Sequence, residues 1–213
     1  MNNDLLRFKR NQKYIFFDYE TCNLNLNYLN NKPWQLGFII AEGSKIIKKH
    51  ELYIGWDQLE VSKEAARITN FSMQKYRKLA KPAIDCLNEF DKYLYNPEYI
   101  IIGHNVLGFD VYIHNIHRIL CNKPTDYSYM PRLIDTNCIA RAVKNKIPFS
   151  EGDSLTKFQY RLFNHRTKGI KTNLKQLCKD YDIDFDPLKL HDALYDVEKT
   201  LEVYNKLIWQ IEI

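Results

Sequence analysis

Two carboxylates end a run of apolar and aromatic residues near the start of the chain. The run, K-Y-I-F-F-D-Y-E at 13–20, is typical of a buried central strand. Because side chains alternate between the two faces of a strand, Asp18 and Glu20 point to the same side. Like charges held that close repel each other, and burying them is unfavourable unless a cation lies between them. The pair predicts a divalent-cation site, whereas an isolated D-x-E more often marks a solvated strand end.

Two further acidic residues follow segments that suit such a site. Asp110 ends I-I-I-G-H-N-V-L-G-F-D, after an apolar strand and a glycine-containing loop, where open α/β sheets place their sites. Asp196 ends H-D-A-L-Y-D, beside the apolar stripe of the last predicted helix, and His191 opens that motif. Taken singly, Asp110 could cap its helix and His191 could be a surface or capping residue. Together with Asp18 and Glu20, the acids predict a shared cation site.

The elements that must position these residues form an α/β pattern. Short links join the first three predicted strands, which favours an antiparallel meander, and later strands alternate with helices. Trp34 and Trp209 are assigned to the core. Strands are predicted at 13–20, 34–41, 45–54, 99–102 and 132–136. Helices are predicted at 61–68, after Pro82, and at 109–120, 137–144 and 173–178, with a long helix from about Asp192.

Length and composition favour one globular unit. The 213 residues, 45% of them hydrophobic, can bury one substantial core, and we expect a single domain over 1–213. The five cysteines lie far apart without a C-x-x-C pair, which argues against a disulfide framework or a structural zinc site. No apolar signal segment or membrane-length run is found, so we expect a cytoplasmic protein without a membrane partner.

Basic charge is concentrated in one part of the chain. The formal charge is only +5, which permits nucleic-acid binding without requiring it. Residues 141–175 carry nine basic and two acidic residues, a net +7, and the rest of the chain sums to −2. The segment indicates either a solvated helix face or a contact with a phosphate backbone. Its candidate phosphate ligands are Arg161, Arg166 and Lys168.

The three acidic motifs resemble those of the DEDDh (DnaQ-like) 3′→5′ exonuclease superfamily, and the nuclease domain of exonuclease I is nearest. The matching motifs are D-Y-E at 18–20, H-N-V-L-G-F-D ending at Asp110 and H-D-A-L-Y-D ending at Asp196. The family implies a ribonuclease H-like mixed sheet, with a three-stranded antiparallel meander plus parallel strands, flanked by helices. Further similar positions are P-W-Q-L-G at 33–37, V-S-K-E-A-A-R-I-T-N-F-S at 61–72 and D-T at 135–136.

This resemblance implies a role for each candidate catalytic residue. Asp18 would bridge two Mg²⁺ (or Mn²⁺) ions, Glu20 and Asp196 would complete the first site, and Asp110 would hold the second ion largely through water. His191 would be the general base, a task that suits an unperturbed pKa near ~6.5. The activity implied is release of nucleoside 5′-monophosphates from the 3′ end of single-stranded DNA.

The terminal-nucleotide pocket is assigned as a hypothesis. We expect Thr21, His104, Asn105 and the Asn-rich loop carrying Leu24 and Leu26 to shape it. Core packing is an equally good interpretation of the two leucines.

Two other functions stay open at this point. One is an exoribonuclease, which would be distinguished by its need for a terminal 2′-OH. The other is a non-catalytic module that binds nucleic acid or a polymerase. The presence of all five catalytic residues favours an enzyme. A polymerase or a replication or repair factor stays a candidate partner, and the oligomeric state is open.

Overall fold

The computed structural model describes residues 5–23, 26, 29–150 and 152–213, which include a six-stranded sheet. Its strands are β1 (Lys13–Thr21), β2 (Pro33–Glu42), β3 (Lys45–Gly55), β4 (Ala80–Pro82), β5 (Tyr99–Gly103) and β6 (Leu133–Asp135). The strand order is β4-β3-β2-β1-β5-β6. β1, β2 and β3 pair antiparallel, whereas β4, β5 and β6 each join in parallel. The predicted meander with added parallel strands is confirmed.

Helices flank this sheet, and most of them lie where the apolar periodicity places them. Two helices and the short strand β4 were not predicted. α2 buries only Tyr76, so it has no apolar stripe to indicate it. α6 buries Phe158 and Leu162, but these residues lie in the segment interpreted from its basic charge. The helices are α1 (Lys63–Thr69), α2 (Met73–Leu79), α3 (Ala83–Leu94), α4 (Asp110–Leu120), α5 (Thr136–Lys144), α6 (Leu155–Phe163), α7 (Leu174–Asp180) and α8 (Ala193–Leu207).

The central strand β1 packs against a different helix on each face. Phe16 contacts Tyr204 of α8, with ring centroids 5.6 Å apart. Phe17, on the other face, contacts Phe90 of α3 at 5.2 Å. The predicted alternation along β1 is therefore confirmed, because even-numbered and odd-numbered positions face opposite helices. Asp18 consequently lies on the side of the sheet that α8 covers.

Gly37 lets the first turn of α8 lie directly on the sheet. It pairs with Asp18 across the β1–β2 ladder, so both positions face α8. A Cβ atom at Gly37 would stand 2.4 Å from the backbone nitrogen of Leu194, a distance that real contacts do not reach. Two residues earlier, the Gln35 side chain accepts a hydrogen bond from the Ala193 nitrogen at 3.4 Å. This contact sets the height of the α8 N-terminus beside Asp18.

The two tryptophan assignments have different outcomes. Trp34 is buried, as predicted. Trp209 is 60% exposed, so its assignment to the core is wrong. The cause is that α8 ends at Leu207, which leaves Trp209 beyond the helical stripe with its ring edge-to-face on Phe8.

Among the residues that the structure describes, no helix is both long and apolar enough to cross a membrane.

We predict that Gly37→Ala displaces the N-terminus of α8 from the sheet and lowers the melting temperature. The added methyl meets backbone atoms of Ala193 and Leu194, which cannot rotate away. Overpacking of this kind destabilises by about 1–3 kcal/mol, a fall in Tm of about 2–12 °C. Thermal unfolding followed by circular dichroism measures the change. Ile47→Ala, at a 54% exposed position of β3, is the control and should leave Tm nearly unchanged. An unaltered Tm in Gly37→Ala would contradict the close packing.

Candidate active site

β1 brings Asp18 and Glu20 to the end of the sheet where the parallel strands finish. Both side chains are partly buried on the face covered by α8. The strand register shifts between Glu20 and Thr21, so regular pairing with β2 is interrupted just after the second acid. Such irregularities re-aim side chains next to functional sites.

A hydrogen bond from the β1 backbone fixes Asp110 at the same place. The backbone nitrogen of Tyr19 donates to Asp110 Oδ1 at 2.8 Å, and Asp110 is only 2% exposed. Asp110 is the first residue of α4, and its contact with β1 distinguishes it from a simple helix cap. Tyr19 lies between Asp18 and Glu20 in the chain. The hydrogen bond from its backbone nitrogen therefore holds Asp110 beside both acids.

The loop before Asp110 is held by Asp135, a buried residue at the end of β6. Its carboxylate accepts hydrogen bonds from the backbone nitrogens of Asn105 at 2.9 Å and Leu107 at 3.1 Å. It also caps α5 by accepting from the nitrogens of Asn137 and Cys138. The sequence showed Asp135 only as a family-like position. Its role depends on contacts between strands that are distant along the chain.

Asp196 reaches the site from the first turn of α8, and His191 lies in the preceding turn. The backbone nitrogen of His191 donates to Asp196 Oδ2 at 3.1 Å, with His191 held at φ 71°. The other oxygen, Asp196 Oδ1, is buried and has no hydrogen-bond partner within the described part of the chain. A buried carboxylate oxygen without a donor is unfavourable and indicates a position for a cation.

Glu20, His191 and Asp196 come together although β1 and α8 are distant in sequence. Each offers one ligand atom, and these atoms all lie within 4.8 Å of one another. Asp18 and Asp110 lie close enough to join them electrostatically. Burial, and then the charges of Asp110, Glu20 and Asp196, raise the pKa of Asp18 well above its usual range.

The other three acids of the cluster also have raised pKa values. Burial, and then the charges of Asp196 and Asp110, raise the pKa of Glu20 well above its usual range. Burial raises the pKa of Asp110 and of Asp196 to about 7, against an opposing contribution from their backbone hydrogen bonds. Asp192 adds a further nearby negative charge to Asp18, Glu20 and Asp196. The motif H-D-A-L-Y-D indicates His191 and Asp196 as site residues but gives no signal for Asp192, whose side chain caps α8 by accepting from the Tyr195 nitrogen.

The donor set fits a hard divalent cation. Carboxylate oxygens are the ligands that Mg²⁺ and Mn²⁺ prefer, whereas cysteine sulfur, typical of zinc, is not part of the cluster. An ion here would supply the missing partner of Asp196 Oδ1 and neutralise the repulsion among the acids. The side chains that could hold it are those of Asp18, Glu20, Asp110 and Asp196.

The predicted pocket residues lie around the site with their own partners. Thr21 is buried, and its hydroxyl donates to the Asn23 carbonyl at 2.6 Å. The His104 ring is hydrogen-bonded to the Thr136 hydroxyl at 2.9 Å, and burial lowers its pKa to about 4. The Asn105 side chain accepts from that of Asn137. These contacts fix the three side chains, and substrate contact by Thr21, His104 and Asn105 stays a prediction.

Of the two leucines assigned to the terminal-nucleotide pocket, the structure describes only one. Leu24 lies outside the described residues. Leu26 is partly buried and packs against the main hydrophobic core. For Leu26 the packing interpretation is therefore supported.

The predicted phosphate ligands all lie on the surface. Arg161 forms a two-pronged ion pair with Asp153 at 3.1 and 2.5 Å, which partly neutralises it. Arg166 donates to the carbonyls of Phe163 and His165, and Lys168 is exposed. The three cations are accessible, and their contact with nucleic acid stays a prediction.

Comparison with known proteins places this chain in a family. Residues 15–204 match the exonuclease (RNase T) family, and the chain belongs to it. The PolC-type DNA polymerase III of Ureaplasma parvum is 26% identical over 199 residues, a match that covers 92% of this chain and 11% of that protein.

Solved structures share the fold. The zinc-bound complex of E. coli exonuclease I with single-stranded DNA superimposes with a TM-score of 0.72 at 19% identity, covering 92% of this chain and 40% of that one. The same enzyme with a dT13 oligonucleotide gives 0.70 at 18% identity, covering 93% and 41%. The ribonuclease H-like fold and the resemblance to exonuclease I are thus confirmed. This chain spans well under half the length of these proteins.

We predict that Mg²⁺ or Mn²⁺ stabilises the protein through the acidic cluster. A ligand at about 100 times its Kd adds about 2.7 kcal/mol, a rise in Tm of about 5–11 °C. Asp18→Asn should abolish this rise. Without metal, Asp18→Asn should melt no lower than the unaltered protein, because it removes one of several repelling charges.

Melting curves in EDTA and in excess Mg²⁺ measure both effects. Asp184→Asn, an exposed acid outside the cluster, is the matched control and should keep the metal-induced rise. Equal metal responses in Asp18→Asn and the unaltered protein would show that the ion binds elsewhere.

Proposed function

We propose that this chain is a metal-dependent 3′→5′ exonuclease that releases nucleoside 5′-monophosphates from single-stranded DNA. The observation that carries the proposal is the convergence of Glu20, His191 and Asp196 within 4.8 Å, beside Asp18 and Asp110, in a member of the exonuclease family. Acids that are separated along most of the chain meet at one edge of the sheet. Phosphodiester hydrolysis by two divalent ions uses such an arrangement.

The proposed roles are those that the family resemblance implies. Asp18 would contact both of two Mg²⁺ or Mn²⁺ ions, with Glu20 and Asp196 on the first and Asp110 on the second. When bound, such ions lower the pKa of water and neutralise charge on the leaving oxygen. Asp110 Oδ1 already accepts a hydrogen bond from the Tyr19 nitrogen, which suits contact with an ion through water.

His191 is proposed as the general base. It lies within 4.8 Å of Glu20 and Asp196, next to the position where the attacking water would be bound. Partial desolvation lowers its pKa below the usual value, so the imidazole is neutral at neutral pH and can accept a proton. The bond from its backbone nitrogen to Asp196 Oδ2 fixes the His191 backbone beside that carboxylate.

The preference for single-stranded DNA is supported by the structural relatives. The similar E. coli exonuclease I structures contain single-stranded DNA and a dT13 oligonucleotide. We further propose that residues 1–213 form a single exonuclease domain. The PolC-type relative is a DNA polymerase, which keeps a polymerase as a candidate partner of this chain.

Two alternatives are tested by the same experiments. An exoribonuclease would require the terminal 2′-OH. A non-catalytic binding module would bind nucleic acid without hydrolysing it, and the intact set of acids argues against that function.

We predict that Asp18→Ala and Asp196→Ala abolish metal-dependent release of mononucleotides, because each removes a proposed metal ligand. His191→Ala should slow release by a factor on the order of 10²–10⁴, since a positioned proton acceptor contributes that much. Degradation of a 5′-labelled strand with Mg²⁺, followed on a gel, measures both effects. Asp184→Ala is the control and should match the unaltered protein. Normal turnover by Asp18→Ala would refute the site.

A second prediction concerns the substrate. Matched 5′-labelled oligomers of single-stranded DNA, duplex DNA and RNA are incubated with the protein and Mg²⁺, with EDTA as the control. We expect single-stranded DNA to be shortened stepwise from its 3′ end. Faster loss of RNA, with no activity on a strand that ends in a 2′-deoxynucleotide, would favour the exoribonuclease.

A further inference from the structure

A buried glutamine on β2 connects the sheet to the start of α8 by side-chain hydrogen bonds. Gln35 is 1% exposed. Its Nε2 donates to Glu51 Oε1 at 3.0 Å and to Asp192 Oδ2 at 3.3 Å, and its Oε1 accepts from the Ala193 nitrogen at 3.4 Å. Both ends of the amide are therefore used, and two of the three bonds go to the residues where α8 begins.

The strand register places Gln35 next to the acidic cluster. In the β1–β2 ladder, Gln35 is the partner of Glu20. Partners in an antiparallel pair project from the same face of the sheet, with Cβ atoms about 4.5–5.5 Å apart. The Gln35 side chain therefore contacts the start of α8 from a position beside Glu20, a proposed metal ligand.

The segment that Gln35 contacts carries two further residues of the proposed site. Asp192 caps α8, because its Oδ1 accepts from the Tyr195 nitrogen at 3.1 Å. The Asp192 carbonyl accepts from the Asp196 nitrogen at 2.9 Å, and the His191 nitrogen donates to Asp196 Oδ2. Hydrogen bonds thus join His191, Asp192 and Asp196 into one turn. A displacement of Asp192 relative to the sheet moves all three.

The contacts of Gln35 require a neutral amide. Its NH₂ group faces two carboxylates, those of Glu51 and Asp192, and donates to each. A carboxylate at position 35 would have no hydrogen for either acid and would add a third negative charge. Asp192 also lies near enough to Glu20 and Asp196 for its charge to raise the pKa of both. Donation from Gln35 therefore stabilises an acid whose neighbours are also acidic.

We propose that Gln35 is a positioning residue for hydrolysis, which fixes the start of α8 so that His191 and Asp196 face Glu20 across the metal site. This proposal rests on the proposed function, because it takes these three groups as acting together on one phosphodiester. Their ligand atoms lie within 4.8 Å of one another. Gln35 pairs with Glu20 and is bonded to Asp192, the residue after His191, so its amide sets the separation between β1 and the turn.

The test uses variants that remove or reverse the contacts of Gln35. Gln35→Met keeps the length of the side chain without its hydrogen bonds, and Gln35→Glu keeps the acceptor without the donor. Gln35→Glu/Asp192→Asn reverses the bond, because the new amide at position 192 can donate to the new carboxylate at position 35. Val203→Ala is the control for destabilisation, at a buried position of α8 about 15 Å along the helix from Ala193.

The measurements are kcat and KM on single-stranded DNA, the Kd of Mn²⁺ by electron paramagnetic resonance, and Tm. Gln35→Met and Gln35→Glu should lower kcat about 10- to 100-fold, the range expected when contacts that orient metal ligands are lost. They should also raise the Kd of Mn²⁺, with KM for DNA nearly unchanged. Val203→Ala should lower Tm and keep both kcat and the Kd.

The double variant separates positioning from two independent losses. Because it restores a hydrogen bond between positions 35 and 192, it should turn over faster than Gln35→Glu, whereas independent effects would make it slower. A slower double variant would show that this bond does not position the site.

If Gln35→Met keeps the kcat and the Mn²⁺ Kd of the unaltered protein, or loses only Tm as Val203→Ala does, Gln35 serves packing alone and the proposal is wrong. If the unaltered protein hydrolyses no DNA with Mg²⁺ or Mn²⁺, the proposed function fails instead. The Kd of Mn²⁺ then still shows whether Gln35 positions the metal ligands, so the two failures are distinguishable.

Discussion

The structure depends on four carboxylates that lie close enough together for their negative charges to repel one another. Burial raises the pKa of Asp18, Glu20, Asp110 and Asp196, and the charges of neighbouring acids, Asp192 among them, add to the rise. A fold that only needed stability would place such acids in water, because buried like charges destabilise it. A loss of folding stability from acids grouped at one edge of the sheet is expected where the fold forms a cation site. Asp196 Oδ1 is buried and has no hydrogen-bond partner among the described residues, and we expect the compensating cation to bind there.

The surrounding fold keeps the acids from moving apart. Aromatic residues pack on both faces of β1, Tyr204 on one side and Phe90 on the other. This packing fixes the orientation of the strand. The Tyr19 nitrogen holds Asp110. Gly37 and Gln35 on β2 let α8 lie against the sheet and carry Asp196 inward. Hydrophobic packing thus supplies the stability that the acidic cluster removes.

Sequence patterns predicted what depends on local periodicity. Strand alternation placed Asp18 and Glu20 on one face, and apolar stripes gave α3, α4 and α8. They could not show α2, which buries one residue, or the exposure of Trp209 beyond the end of α8. The contacts of Asp135 and Asp192 also escaped prediction. Asp135 binds the backbone of the loop after β5, and Asp192 lies near Asp18 and Glu20 of β1, so both contributions join residues that are far apart along the chain.

The most direct measurement is anomalous diffraction from crystals soaked in Mn²⁺. Two manganese peaks beside Asp18, one of them in contact with Asp196 Oδ1, are the result that the proposed two-metal site predicts. They would show that the repulsion among the acids is balanced by metal ions. A map without manganese at these carboxylates, obtained at saturating Mn²⁺ and neutral pH, would contradict the account.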